Sequence, residues 1–223
     1  MTGKNNNQIK FILIVVAVIM IAPGLIRAAD TTQTNTDKLY NQGNSYYAKG
    51  DIDSAIVCFT KAIESNSKYI KAYNNRGIAY YKKGDFVNAI ADYNQAITLE
   101  PKDARSYLNR GLAYNKLDSL KKAISDFSKA TQIDSMYGKA YYNRALLYQK
   151  LGDLDQTIVD YKKAISISPK DANAMRELAV IYEQENNNTK ALYWYQKALK
   201  NKEKLSEQQV QAIQEKIKSL KTQ

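Results

Sequence analysis

The chain has 223 residues, with 33 Lys or Arg against 22 Asp or Glu, a formal charge of +11, one cysteine and no histidine. Without histidine there are no Ser-His or Cys-His nucleophilic devices and no imidazole general base, and the commonest transition-metal ligand is missing. The single thiol, Cys58, excludes an internal disulfide; beside Phe59 in a helical stretch it reads as a small, partly buried hydrophobe.

Residues 1–28 differ from everything after them. Lys4 and Lys10 precede an apolar run from Phe11 to Ala22, which Pro23 and Gly24 interrupt before Leu25, Ile26, Arg27 and Ala28. A basic start, an apolar centre, a helix breaker and a small residue make the layout of a secretory signal cut after Ala28. The alternative is an N-terminal membrane anchor over residues 9–26, but an apolar span from Phe11 to Ile26 is shorter than the roughly 20 residues that cross a bilayer. On either reading the basic residues stay on the cytoplasmic side and the rest is exported, to the periplasm or beyond. Residues 29–35 carry no large apolar side chain and read as a flexible tether.

From residue 36 a 34-residue unit recurs without a gap, at 36–69, 70–103, 104–137, 138–171 and 172–205. Position 8 of each unit is small (Gly43, Gly77, Gly111, Ala145, Ala179), and position 11 is Tyr46, Tyr80, Tyr114, Tyr148 and Tyr182. Position 20 is small again, position 24 is aromatic (Phe59, Tyr93, Phe127, Tyr161, Tyr195), and position 27 is always Ala. Small residues let two helices approach closely, while the large ones fill the space left against the next pair. One such unit cannot bury its own apolar face, so neighbours must stack. Within each unit a turn is expected at Gly50-Asp51, Gly84-Asp85, Asp118-Ser119, Gly152-Asp153 and Asn186-Asn187. A left-handed residue there ends the first helix, and the next residue caps the second. Pro101 and Pro169 mark turns between units. Asn187-Asn188-Thr189 has the form of a glycosylation sequon.

Residues 206–223 close the array. Ser206 and Gln209 have capping-box spacing, and Val210, Ile213, Ile217 and Leu220 share one helical face, as a terminal capping helix requires.

The period and its marks resemble the tetratricopeptide repeat. The resemblance implies an all-α fold, a right-handed α-solenoid of tandem antiparallel helix pairs. It also implies that the first helices line a concave groove through positions 2, 5, 6, 9, 12 and 13 of each repeat. That groove would present Asn75, Asn109 and Asn143 as an amide column, with Lys71, Arg105 and Lys139 on one side and Lys82, Lys116 and Lys150 on the other. Tyr40, Tyr47, Tyr81 and Tyr142 would add contact area there, or serve as ordinary packing. Co-chaperones of this family clamp a C-terminal carboxylate with five residues; Asn44, Asn75 and Arg105 match three of those places, whereas Tyr40 and Asn109 replace a Lys and an Arg.

Position 7 is Arg in the middle repeats (Arg76, Arg110, Arg144), and position 23 is Asp in the same three (Asp92, Asp126, Asp160). The pair is gained and lost together, as expected of an ion pair that sets helix register. No glycine-rich phosphate loop and no carboxylate dyad occurs, so an enzyme is not expected, nor a metal, a cofactor or a small-molecule substrate. The expected function is an exported, non-enzymatic scaffold that binds a protein or peptide of acidic character. Nucleic acid is not an expected partner, and a membrane is one only if the N-terminal segment is retained. The rival reading is a charge-driven binder of an anionic surface or polymer, such as lipid head groups or cell-wall polymer.

Overall fold

A computed structural model describes residues 33–222 of the protein. Among them there are eleven α-helices, one short 3-10 helix and no strand. They form two compact units that part between residues 85 and 86, which divides the second repeat between its two helices. Residues 1–28, with the expected signal or anchor, lie outside the described residues. No helix among the described residues is long and apolar enough to cross a membrane.

The first unit holds α1 (33–48), α2 (Ile52–Ser65) and α3 (Ile70–Lys83). Gly50 turns the chain at φ 84°, a backbone conformation open to glycine at little cost, and Asp51 then caps α2 by accepting from the Ser54 amide at 3.1 Å. Gly43 is needed for another reason: a Cβ there would lie 2.5 Å from the Phe59 ring, which is buried with Ala55 and Ala79. Residues 33–35, expected in a tether, are helical instead. The ties that hold this stretch are polar and come from the far end of the first repeat. Thr36 is fully buried and donates to the Ser65 hydroxyl at 2.9 Å, while Asp37 accepts from the Tyr69 hydroxyl at 2.6 Å and from Gln33 at 3.1 Å.

The second unit continues with α4 (Phe86–Leu99), α5 (Ala104–Lys116), α6 (Leu120–Ile133), α7 (Gly138–Leu151), α8 (Leu154–Ile167), α9 (Ala172–Gln184), α10 (Asn188–Lys200), the 3-10 helix Lys202–Lys204 and α11 (Glu207–Lys221). Each helix packs on the next, which is the α-solenoid arrangement. Where the turn lacks glycine, Asp118 and Asn186 take the left-handed conformation at φ 54° and 56°. Asp153 and Asn187 cap α8 and α10 as expected, but Ser119 makes no side-chain bond at the start of α6. Asp103 and Asp171 cap the first helices α5 and α9. In the sequon the Asn187 side-chain oxygen is already used as the cap of α10, accepting from the Lys190 amide at 3.2 Å.

The ring at position 24 is buried in every repeat. Tyr161 and Tyr195 find partners for their hydroxyls at position 12 of their own repeats, donating to Gln149 at 3.1 Å and Glu183 at 2.9 Å. At the C-terminal end the capping box of Ser206 and Gln209 is formed, and Ile213 and Leu220 join the cluster of Leu178, Ile181 and Tyr195.

Candidate functional site

The cations of the array fall into two classes. Arg110 on α5 and Arg144 on α7 are mostly buried and structural. Arg110 grips Asp126 with both ends of its guanidinium, at 2.8 and 2.7 Å, and Arg144 grips Asp160 at 2.7 and 2.8 Å. These bonds hold both guanidinium pKa values above the ordinary arginine range, against the opposing effect of burial. Each also lies over two rings of its own helix, Arg110 at 5.5 Å from Tyr107 and 5.9 Å from Tyr114. Within the second unit the expected register pairs are therefore present.

A further contact of these arginines was not foreseen. The remaining guanidinium nitrogen reaches position 25 of the preceding repeat: Arg76 donates to Thr60 at 2.9 Å, Arg110 to Asn94 at 2.7 Å and Arg144 to Ser128 at 2.9 Å. One side chain thus ties its own helix pair together and fastens it to the pair before. The last repeat has Leu178 at position 7, which makes no such bond and packs in the apolar cluster with Ala145 and Tyr161.

The other class stays in water. In the second unit Arg105, Lys116 and Lys139 are exposed on α5 and α7, Arg105 with only a loose approach to Asp103 at 3.7 Å. Lys150 is exposed too, but it meets Asp118 at 2.6 Å. Asn109 and Asn143 are half-buried between these cations, and the Asn143 amide donates back to the Lys139 carbonyl at 2.7 Å. In the first unit Lys71 and Lys82 are exposed on α3. Asn75, half-buried, donates to Asn44 at 2.7 Å and to the Tyr40 hydroxyl at 3.0 Å. Tyr40, Asn44 and Asn75 of that unit are thereby held together by one hydrogen-bonded network.

The tyrosines expected at the groove also pack. Tyr40 lies 5.9 Å from Phe59 and 5.4 Å from Tyr69, and Tyr142 lies 5.7 Å from Tyr161. In the fifth repeat the amide column ends at Glu177, which is paired with Arg176. Among the described residues no group of three His, Cys, Asp or Glu side chains converges as a metal site would need.

Two family models match the sequence in the phase read above. The TPR repeat model matches residues 43–84 and 111–152, and the tetratricopeptide repeat model matches 70–103 and 138–171, so that together they cover more than half the chain. The chain belongs to the tetratricopeptide repeat family. No curated protein matches it. Among solved structures of this TPR fold, MamA superposes with a TM-score of 0.67 at 28% identity, over 73% of this chain and 95% of MamA. PilF of Pseudomonas aeruginosa gives 0.73 at 16% identity, over 85% of this chain and 90% of its own, and shows the fold alone. The first TPR of Spaghetti (RPAP3), bound to the HSP90 peptide SRMEEVD, gives 0.52 at 27% identity, over 53% of this chain and 94% of that one.

Proposed function

We propose that the protein is an exported TPR scaffold, without catalysis of its own, that binds an acidic peptide segment of a partner along the first helices of its repeats. The observation that carries this reading is the separation of the two cation classes. Arg110 and Arg144 are sunk and neutralised by Asp126 and Asp160, whereas Arg105, Lys116 and Lys139 on the same two helices stay exposed beside Asn109 and Asn143. Exposed cations next to amides suit an extended acidic chain: the amides meet its backbone, and the cations meet its carboxylates. The peptide bound by the first TPR of Spaghetti has two consecutive Glu and a terminal Asp, which is in keeping with this chemistry. Export rests on the N-terminal sequence alone. Mass spectrometry of the exported protein is expected to find a chain beginning at Ala29, and an intact Met1 in the membrane fraction would replace the cleaved signal by the anchor.

A selection from a random twelve-residue peptide library on the full chain tests the binding reading. Acidic sequences are expected to be enriched, and to lose affinity when Arg105, Lys116 and Lys139 are changed to Ser. Changing the exposed Lys61, Lys121 and Lys129 of α2 and α6 to Ser alters net charge equally. Equal loss in both triple variants would mean that overall charge governs binding and would favour the anionic-polymer reading, whose affinity falls steeply with salt.

A further inference from the structure

Lys139 belongs to the basic face of α7 and also to a cleft of about 660 Å³ bounded by α7, the turn between α8 and α9, and the 3-10 helix. Two more lysines enter that cleft from separate elements, Lys170 from the turn and Lys204 from the 3-10 helix. None of the three ammonium groups has a carboxylate at ion-pair distance among the described residues. The one carboxylate of the lining, Asp171, is turned to its own helix, where it accepts from the Ala174 amide at 3.1 Å. Asn173, also in the lining, accepts from Gln209 of α11 through its side-chain oxygen at 3.4 Å and keeps its amide as a donor. Burial raises the pKa of the Tyr142 hydroxyl, so this lining group also remains a donor at neutral pH. The lining therefore sets three ammonium groups against one carboxylate, a balance that favours anions.

We propose that this cleft holds a pair of neighbouring acidic side chains, Glu or Asp, of the bound peptide, an inference that rests on the peptide-binding reading above and names what the peptide carries. Three cations delivered by three elements match carboxylates spaced along a chain better than one compact anion. The cleft has the size of a small-molecule site and far exceeds what a single phosphate fills. Pro169 and Ala164 give it an apolar wall, against which the methylenes of Glu side chains pack. Lys139 sets the direction, since a chain lying along α7 reaches the cleft at that residue.

The test uses the full chain and end-blocked, fluorescein-labelled peptides from the selection. A peptide with adjacent acidic residues is expected to bind Lys170→Ser/Lys204→Ser at least tenfold more weakly. Its Glu→Gln version is expected to bind the native chain as weakly, and to lose nothing further on the double variant, so that the two losses do not add. Both lysines are exposed, so folding is not at stake. If Arg105→Ser/Lys116→Ser weakens the peptide while Lys170→Ser/Lys204→Ser does not, the scaffold reading stands and the cleft assignment falls. If no peptide is selected, both fall. Tight binding of tripolyphosphate at these lysines, with no dependence on Glu, would assign the cleft to a phosphate and overturn the proposal.

Discussion

Replacing Arg110 by Ala is the most direct probe of what holds the repeats in register. The change removes two charge-assisted bonds to Asp126 and one to Asn94, and leaves behind an Asp126 side chain that is 7% exposed. Breaking one side of a buried ion pair costs about 3–5 kcal/mol, because the remaining charge has neither partner nor water. Arg110 is itself 19% exposed, so some water reaches the pair, and the lower end, about 3 kcal/mol, is expected. Arg110→Leu combined with Asp126→Leu removes the stranded charge and is expected to recover most of the loss. Lys150 and Asp118 supply the contrast: they meet at 2.6 Å, yet their side chains are 55% and 78% exposed. Lys150→Ala is therefore expected to fall within the scatter of the measurement. Urea unfolding followed by circular dichroism measures the cost. Because stacked repeats need not unfold in one step, amide hydrogen exchange across α5 and α6 shows where it is felt. A cost of Arg110→Ala below about 0.5 kcal/mol, or no larger than that of Lys150→Ala, would refute the reasoning.

Gly111→Ala sets helix propensity against packing. A Cβ at 111 would lie 2.6 Å from the fully buried Phe127 ring, so overpacking by about 1–3 kcal/mol is expected to outweigh the gain in propensity and lower Tm. A rise in Tm would show that Phe127 moves aside freely. In alkali, Tyr161 and Tyr195 are expected to resist ionisation, burial being the first cause and the field of Glu177 or the bond to Glu183 the second. Their folded pKa values lie above the unfolded value near 10, so the stability they confer is complete below about pH 10 and is lost as pH rises. Phenolate absorbance read alongside circular dichroism is expected to show late tyrosines that ionise only as helix is lost; reversible titration of every tyrosine with the helices intact would contradict this.

Much of the fold was legible because a repeat reports the same constraint several times. Gly50, Gly84 and Gly152 stand at left-handed turns, and Asp118 and Asn186 take the same conformation because short polar side chains tolerate it. The joint presence of Arg and Asp at positions 7 and 23 announced the pairs of the second unit. What escaped was chemistry that does not depend on residue identity. Thr60, Asn94 and Ser128 share only a side-chain oxygen, so a comparison of letters does not reveal that each receives an arginine from the next repeat. The helical residues 33–35 were hidden for a similar reason: small polar side chains look like linker until the bonds of Thr36 to Ser65 and of Asp37 to Tyr69 hold the helix that follows them. The exposed cations were placed by the family resemblance, whereas the cleft depends on Lys204 returning to α7 after three intervening helices, which no local pattern foretells.

Repeats 70–103 and 104–137 each carry both halves of a fastening, an arginine that reaches back and an oxygen that receives the next arginine. A duplicated copy of residues 104–137 would find a matching half on either side, since its arginine meets Ser128 and its serine meets Arg144. A duplicated copy of 172–205 would not, because Leu178 has nothing to offer a polar acceptor. Insertion of a whole 34-residue module therefore keeps the fastening when it copies 104–137 and interrupts it when it copies 172–205, so lineages of the protein would be expected to vary in length through their arginine-bearing repeats.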